Sequence, residues 1–205
     1  MSVPEFHVNI LKKNYINEIE SIWIKTLPDN LKSIIGKKTI LIYLNKYFNN
    51  KKNLGTGIFN KKKLIGFVLF GLDNKIIKEI LKENIFYIFS SFLENIVKFK
   101  IKNLIRYFNV IFFLMISSTK ENKILKNNNE LLIIAINKHE QNKGLGSQLL
   151  SITFKRYNNY FLNYNNIFVK TLKSTPENIK FYIKNNFNIE MEIFGRVYLK
   201  TNAYK

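Results

Sequence analysis

At 205 residues the chain is the size of a single domain, residues 1–205, and can bury a sizeable core. It contains no cysteine, which excludes disulfides and thiolate chemistry, and its two histidines, His7 and His139, leave no basis for a histidine-rich metal site, so no metal is expected. Lysine and arginine total 33 against 14 acidic residues, a net charge of +19, yet Arg106, Arg156 and Arg196 are the only arginines and the lysines are spread along the chain. A nucleic-acid surface would gather forked guanidinium groups on one element, so this charge reads as a residue bias and no nucleic-acid partner is expected.

The first residues carry Glu5 and no long apolar core, so no secretory leader is read and a cytoplasmic location is the expectation. Phe6, Val8 and Ile10 alternate with polar neighbours and predict a strand. Ile16, Ile19, Trp23, Ile24 and Leu27 have helical spacing closed by Pro28, and Leu31, Ile34, Ile35, Ile40, Leu41 and Leu44 predict a second helical region interrupted at Gly36. Residues 54–59 and 64–71 are short apolar strands joined across lysines, which predicts a hairpin with a solvated tip.

Residues 75–126 carry two or three apolar helical stretches. Their charge-free runs are too short to cross a bilayer. Packing over the sheet or a homodimer surface is the expectation for them, with peripheral membrane contact through Lys98, Lys100, Lys102 and Arg106 as the alternative.

Residues 131–136 are a continuous apolar run, the pattern of a strand buried on both faces. Gln141, Asn142, Lys143, Gly144, Leu145, Gly146 and Ser147 follow, and Leu145, Leu149, Leu150, Ile152 and Phe154 then fall near a helical stripe. A helix start leaves four N–H groups without intrahelical acceptors and carries roughly half a positive charge, so it can hold a phosphate by backbone alone. Glycines at 144 and 146 predict room for a bulky diphosphate to reach those groups. The third glycine of a dinucleotide fingerprint is missing, since position 149 is leucine, and no Gly-Lys-Ser/Thr follows as a Walker loop requires. Residues 167–172 predict another buried strand and Pro176 the first turn of a helix capped by Ser174 or Thr175; residues 189–193 and 197–199 close the sheet as a hairpin.

Gln-x-x-Gly-x-Gly, between a buried strand and a helix, resembles the acetyl-CoA motif of the Gcn5-related N-acetyltransferases (GNAT). Residues 176–187, with Phe181, Tyr182 and Phe187, resemble that family's second motif, although Thr175 and Asn178 stand where asparagine and alanine are usual and Asn186 replaces a glycine. Asparagine tolerates the left-handed backbone that such a glycine supplies.

The resemblance implies an α/β fold with a mixed, mostly antiparallel central sheet, a splayed parallel strand pair, flanking helices and, here, an extra helical insertion. It implies acetyl transfer from acetyl-CoA to a primary amine of a small molecule such as an amino sugar, by direct attack. The pantetheine arm would pair with the backbone near Ile134, Ile136 and Asn137, the phosphates would sit on residues 141–147, and Asn178 would line the cofactor. Tyr182 would give a proton to the leaving thiolate and Glu130 would take one from the amine. The competing expectation is a non-catalytic CoA-fold module that binds membrane or nucleic acid through its insertion.

Overall fold

The computed structural model describes residues 6–27, 37–71, 76, 80, 128–162, 164, 166–193 and 195–202. Seven strands, β1 (Phe6–Ile10), β2 (Leu54–Asn60), β3 (Lys63–Gly71), β4 (Asn129–Ile136), β5 (Ile167–Leu172), β6 (Asn188–Ile193) and β7 (Arg196–Thr201), form one sheet in the order β1-β2-β3-β4-β5-β7-β6. Every neighbouring pair is antiparallel except β4 with β5. The helices are α1 (Ile16–Thr26), α2 (Lys37–Asn49), α3 (Leu145–Arg156), the short α4 (Asn158–Phe161) and α5 (Pro176–Lys184). The fold is the mixed, mostly antiparallel α/β arrangement expected from the resemblance. Pro28, the stretch with Leu31, Ile34, Ile35 and Gly36, and the insertion at 75–126 apart from Ile76 and Ile80 lie outside the described residues.

Two apolar cores sandwich the sheet. On one face Ile58, Val68, Phe70, Leu131, Ile136 and Val169 pack against Leu145, Leu149 and Leu150 of α3, Phe161 of α4 and Tyr182 of α5. On the other, Phe59, Phe67, Leu69, Ile133 and Ala135 pack against Ile19 and Trp23 of α1 and Tyr43, Leu44 and Tyr47 of α2, with Ile76 and Ile80 in the same cluster. This explains why β2, β3 and β4 read as apolar runs and not as alternating strands: both faces are covered. The expected stripe on α3 shifts, because Ile152 and Phe154 are half-buried while Thr153 is fully buried. Its hydroxyl is satisfied by Thr56 of β2 at 2.7 Å, which removes the cost of burying it. Arg156 at the end of α3 donates to the Val8 carbonyl and ties β1 to that helix.

Candidate functional site

The site begins with a strand that loses its neighbour. β4 pairs with β5 only at Asn129↔Ile167, Glu130↔Phe168 and Leu131↔Val169. Past that rung β5 continues against β7 to Leu172↔Arg196, and β4 continues against β3 to Gly66↔Ile136, so a wedge-shaped gap opens between them. A β-bulge stands at the vertex. Leu69 pairs with Ile133 and Phe70 with Leu131, which leaves Leu132 as the extra residue and turns both Leu132 and Ile133 to the α1/α2 core. Leu132 and Ile134 are only half-buried in the central strand of a seven-stranded sheet, as expected for residues beside an opening.

The hydrogen-bond parity of β4 decides which backbone groups face that opening. Asn137 N–H donates to Ile65 O at 2.8 Å, one step beyond Gly66↔Ile136, so the alternation of an antiparallel ladder turns the N–H and C=O groups of Ile134 and Ile136 toward the gap. Asn137 is placed differently from the expectation: its N–H is taken by Ile65 and its carbonyl accepts Glu140 N–H at 2.8 Å, so its main chain is committed within the protein. The Ile136 carbonyl accepts the Gln141 side-chain amide at 2.8 Å. Gln141 therefore braces the loop onto the strand end.

Beyond Gln141 the chain turns through Asn142 (φ 63°) and Gly144 (φ 76°) before α3 starts at Leu145. Positive φ on either side of Lys143 curls successive N–H groups into a concave surface. The first intrahelical bond is Gln148 N–H to Gly144 O, at 3.0 Å. The N–H groups of Asn142, Lys143, Gly144, Leu145, Gly146 and Ser147 have no acceptor among the described residues, and no side chain caps the helix. Lys143 pairs with Glu140 at 2.9 Å, so its charge is partly neutralised at the rim. The Leu145 side chain is buried in the core between α3 and the sheet.

The two glycines do different work. Nothing lies within 4 Å of where a Cβ on Gly144 would stand, and only its left-handed backbone demands glycine. A Cβ on Gly146 would stand 3.2 Å and 3.3 Å from two atoms of the Phe181 ring. Glycine at 146 therefore also lets α3 approach α5, a packing role beside the room for a diphosphate that the sequence predicts.

Tyr182 and Glu130 lie on opposite faces of the sheet. Tyr182 is buried in the α3/α5 core, its ring against Phe181 and Phe187 with centroids 5.2 Å and 5.6 Å away, and burial raises its phenol well above the ordinary range. Glu130 follows the opposite parity to Leu131, faces α1 and α2, is buried, and pairs with Lys170 Nζ at 2.9 Å. Asn178 is exposed on α5 and donates to Thr171 Oγ1 at 3.4 Å, beside the open end of the gap. No group of three metal-ligating side chains occurs among the described residues, and none of the described helices is long and apolar enough to cross a membrane.

No protein-family model and no curated protein matches the chain. Solved structures do. PaiA N-acetyltransferase from Thermoplasma acidophilum in complex with coenzyme A is similar over 97% of this chain and 99% of its own, with a TM-score of 0.60 at 12% identity. An acetyltransferase of the GNAT family from Streptococcus pneumoniae is similar over 96% and 97%, with a TM-score of 0.54 at 16% identity. The ribosomal-protein-S18-alanine N-acetyltransferase from Escherichia coli matches over 96% and 92%, with a TM-score of 0.57 at 11% identity. This chain has the GNAT fold.

Within the GNAT fold, two features of the site escape the sequence reading. The bulge at Leu132 is hidden because every residue from 131 to 136 is apolar, so no break in alternation marks it. Lys170 looks like one more lysine among many; its place directly after Ile167, Phe168 and Val169, the half of the expected buried strand that is in fact buried, was the available signal.

Proposed function

We propose that the protein is an N-acetyltransferase that moves an acetyl group from acetyl-CoA to a primary amine of a small molecule. One observation carries this reading: the gap between β4 and β5, edged by main-chain groups of Ile134 and Ile136, leads to six N–H groups, those of residues 142–147, that have no acceptor among the described residues. A slender arm with amides fits the first as an added strand. A diphosphate fits the second. Coenzyme A carries both on one molecule, and structures of similar fold were solved with it bound. The residues that would hold it are Ile134 and Ile136 by main chain, the N–H groups of 142–147, and Asn178 at the mouth.

The chemistry is direct attack. The amine lone pair adds to the acetyl carbonyl carbon, forming the C–N bond; the C–S bond then breaks, leaving an amide and a thiolate. The amine's proton goes to Glu130, on the α1/α2 face, and the thiolate receives one from Tyr182, on the α5 face. Acceptor and donor on opposite faces of the sheet are kept from neutralising each other. No covalent enzyme intermediate is needed, in keeping with a chain that has no cysteine.

The test is thermal denaturation with acetyl-CoA, CoA and a polyanion of matched charge, in high salt. Stabilisation by the CoA ligands that survives salt is expected. A shift of equal size with any polyanion, lost as salt rises, would instead mean a charged binding module without acetyl transfer.

A further inference from the structure

We infer that the amine acceptor carries an anionic group and that Lys170 recognises it, an inference that rests on the acetyltransferase reading above. Lys170 is the first residue of β5 past the last rung with β4, so it stands at the vertex of the gap. Val169 before it packs into the α3/α5 core, and the alternation of the strand sends Lys170 to the opposite face, where Glu130 lies. Its ammonium is 2.9 Å from the Glu130 carboxylate. The two side chains are not equally covered: Glu130 is 3% exposed and Lys170 is 19% exposed, so the carboxylate is the inner partner and the ammonium the outer one.

That order has consequences for what can approach. A lysine stem ordinarily loses rotamer freedom when it grips a ligand, but here the buried carboxylate and the cross-strand neighbour, the buried Tyr198, already fix it. An acceptor that is only a cation meets the ammonium first and is repelled. An acceptor that also carries a carboxylate or phosphate turns the same ammonium into an anchor, and its amine is left beside the Glu130 carboxylate. Together the pair complements a zwitterion.

The experiment compares β-alanine, 2-aminoethyl phosphate and propylamine as acceptors, by CoA release and by calorimetric binding to CoA-saturated protein. At least one anionic amine is expected to exceed propylamine by roughly ten- to a hundredfold in kcat/KM, the range of one charge-assisted hydrogen bond. The carboxylate and phosphate arms show which anion is preferred. Lys170→Arg should keep the preference and Lys170→Met should abolish it. Because Lys170→Met leaves a buried carboxylate without that partner and can fail to fold, Lys170→Met with Glu130→Gln provides a neutral pair, read by binding. Equal handling of the three amines by the wild type, including turnover of none with no difference in binding, overturns the inference, as does a preference that survives in the double variant. Absence of CoA binding sinks the acetyltransferase reading itself, which the calorimetry reports separately.

Discussion

A Cβ on Gly146 would stand 3.2 Å from the Phe181 ring, so α3 and α5 meet at a point where a side chain fits between them only if that ring gives way. Gly146→Val is therefore expected to destabilise the fold by about 1–3 kcal/mol, the usual cost of overpacking, in addition to any effect on CoA. Gly146→Ala should cost less, because the ring has to move only a few tenths of an ångström. Denaturant unfolding checks both; a Gly146→Val protein of wild-type stability would show that Phe181 turns aside freely.

Gly144 makes the opposite prediction. Nothing crowds it, yet its φ of 76° strains any other residue, so Gly144→Ala should lose about 1–2 kcal/mol through backbone alone. The loss should appear with a weaker grip on CoA, because relaxing φ would uncurl the N–H groups of 142–147. Calorimetry with CoA on the folded variant measures the second effect independently of the first.

The end of α5 offers a gain. Phe187 N–H donates to Tyr182 O at 3.0 Å and Asn186 N–H to Ile183 O at 3.1 Å, with Asn186 at φ 64° and the Phe187 ring on Tyr182. This is a left-handed helix stop built on asparagine where glycine is the least strained residue. Asn186→Gly should raise stability by about 0.5–1 kcal/mol, and Asn186→Val should lower it by about 1–2 kcal/mol. Melting temperatures of the two variants should move in opposite directions.

Most strands were legible because burial on both faces leaves unbroken apolar runs, as in β3 and residues 131–136 of β4, and because the Asn60–Lys63 turn interrupts them with lysines. The cradle was legible because its chemistry lies in the backbone, and a strand, a polar turn with glycines and a helix start are local features. Three things were not. The bulge at Leu132 depends on how β4 registers with β3, a relation between residues far apart in sequence. Gly146 could not be assigned to packing without knowing that Phe181 lies over it. The pairing of Lys170 with Glu130 joins residues on different strands, and composition had made every lysine look alike.

Alkaline pH should unfold the protein in a defined window. Burial raises the phenols of Tyr47, Tyr160 and Tyr182 above their ordinary value; at Tyr160 the Asn129 side chain and at Tyr47 the Phe70 backbone act in the opposite sense. A group whose folded value is raised adds stability that is whole below its unfolded pKa and declines above it, so stability should hold to about pH 10 and fall beyond. Tyr47 also bonds both main-chain groups of Phe70, donating at 2.8 Å and accepting at 3.1 Å. Tyr47→Phe should thus lower stability at neutral pH yet reduce the fall above pH 10, as urea titrations at several pH values would report.

Tyr182 sits in the same alkaline window, and that separates its two roles. As a packing residue its ring is supplied equally by phenylalanine, which keeps the contacts with Phe181 and Phe187. As a proton donor its hydroxyl acts in the transition state, so Tyr182→Phe should lower kcat about a hundredfold while the KM for acetyl-CoA stays near the wild-type value. Because burial holds the phenol neutral, the wild-type kcat should show no loss from Tyr182 ionisation up to about pH 10. The shift keeps the donor protonated but also makes the phenol a weaker acid than a thiol, so transfer to the thiolate runs uphill and has to be followed by reprotonation of Tyr182. Turnover measured under conditions where chemistry limits the rate decides between the roles: a Tyr182→Phe enzyme with wild-type kcat would leave Tyr182 as part of the core alone, and the thiolate would then leave without help from α5.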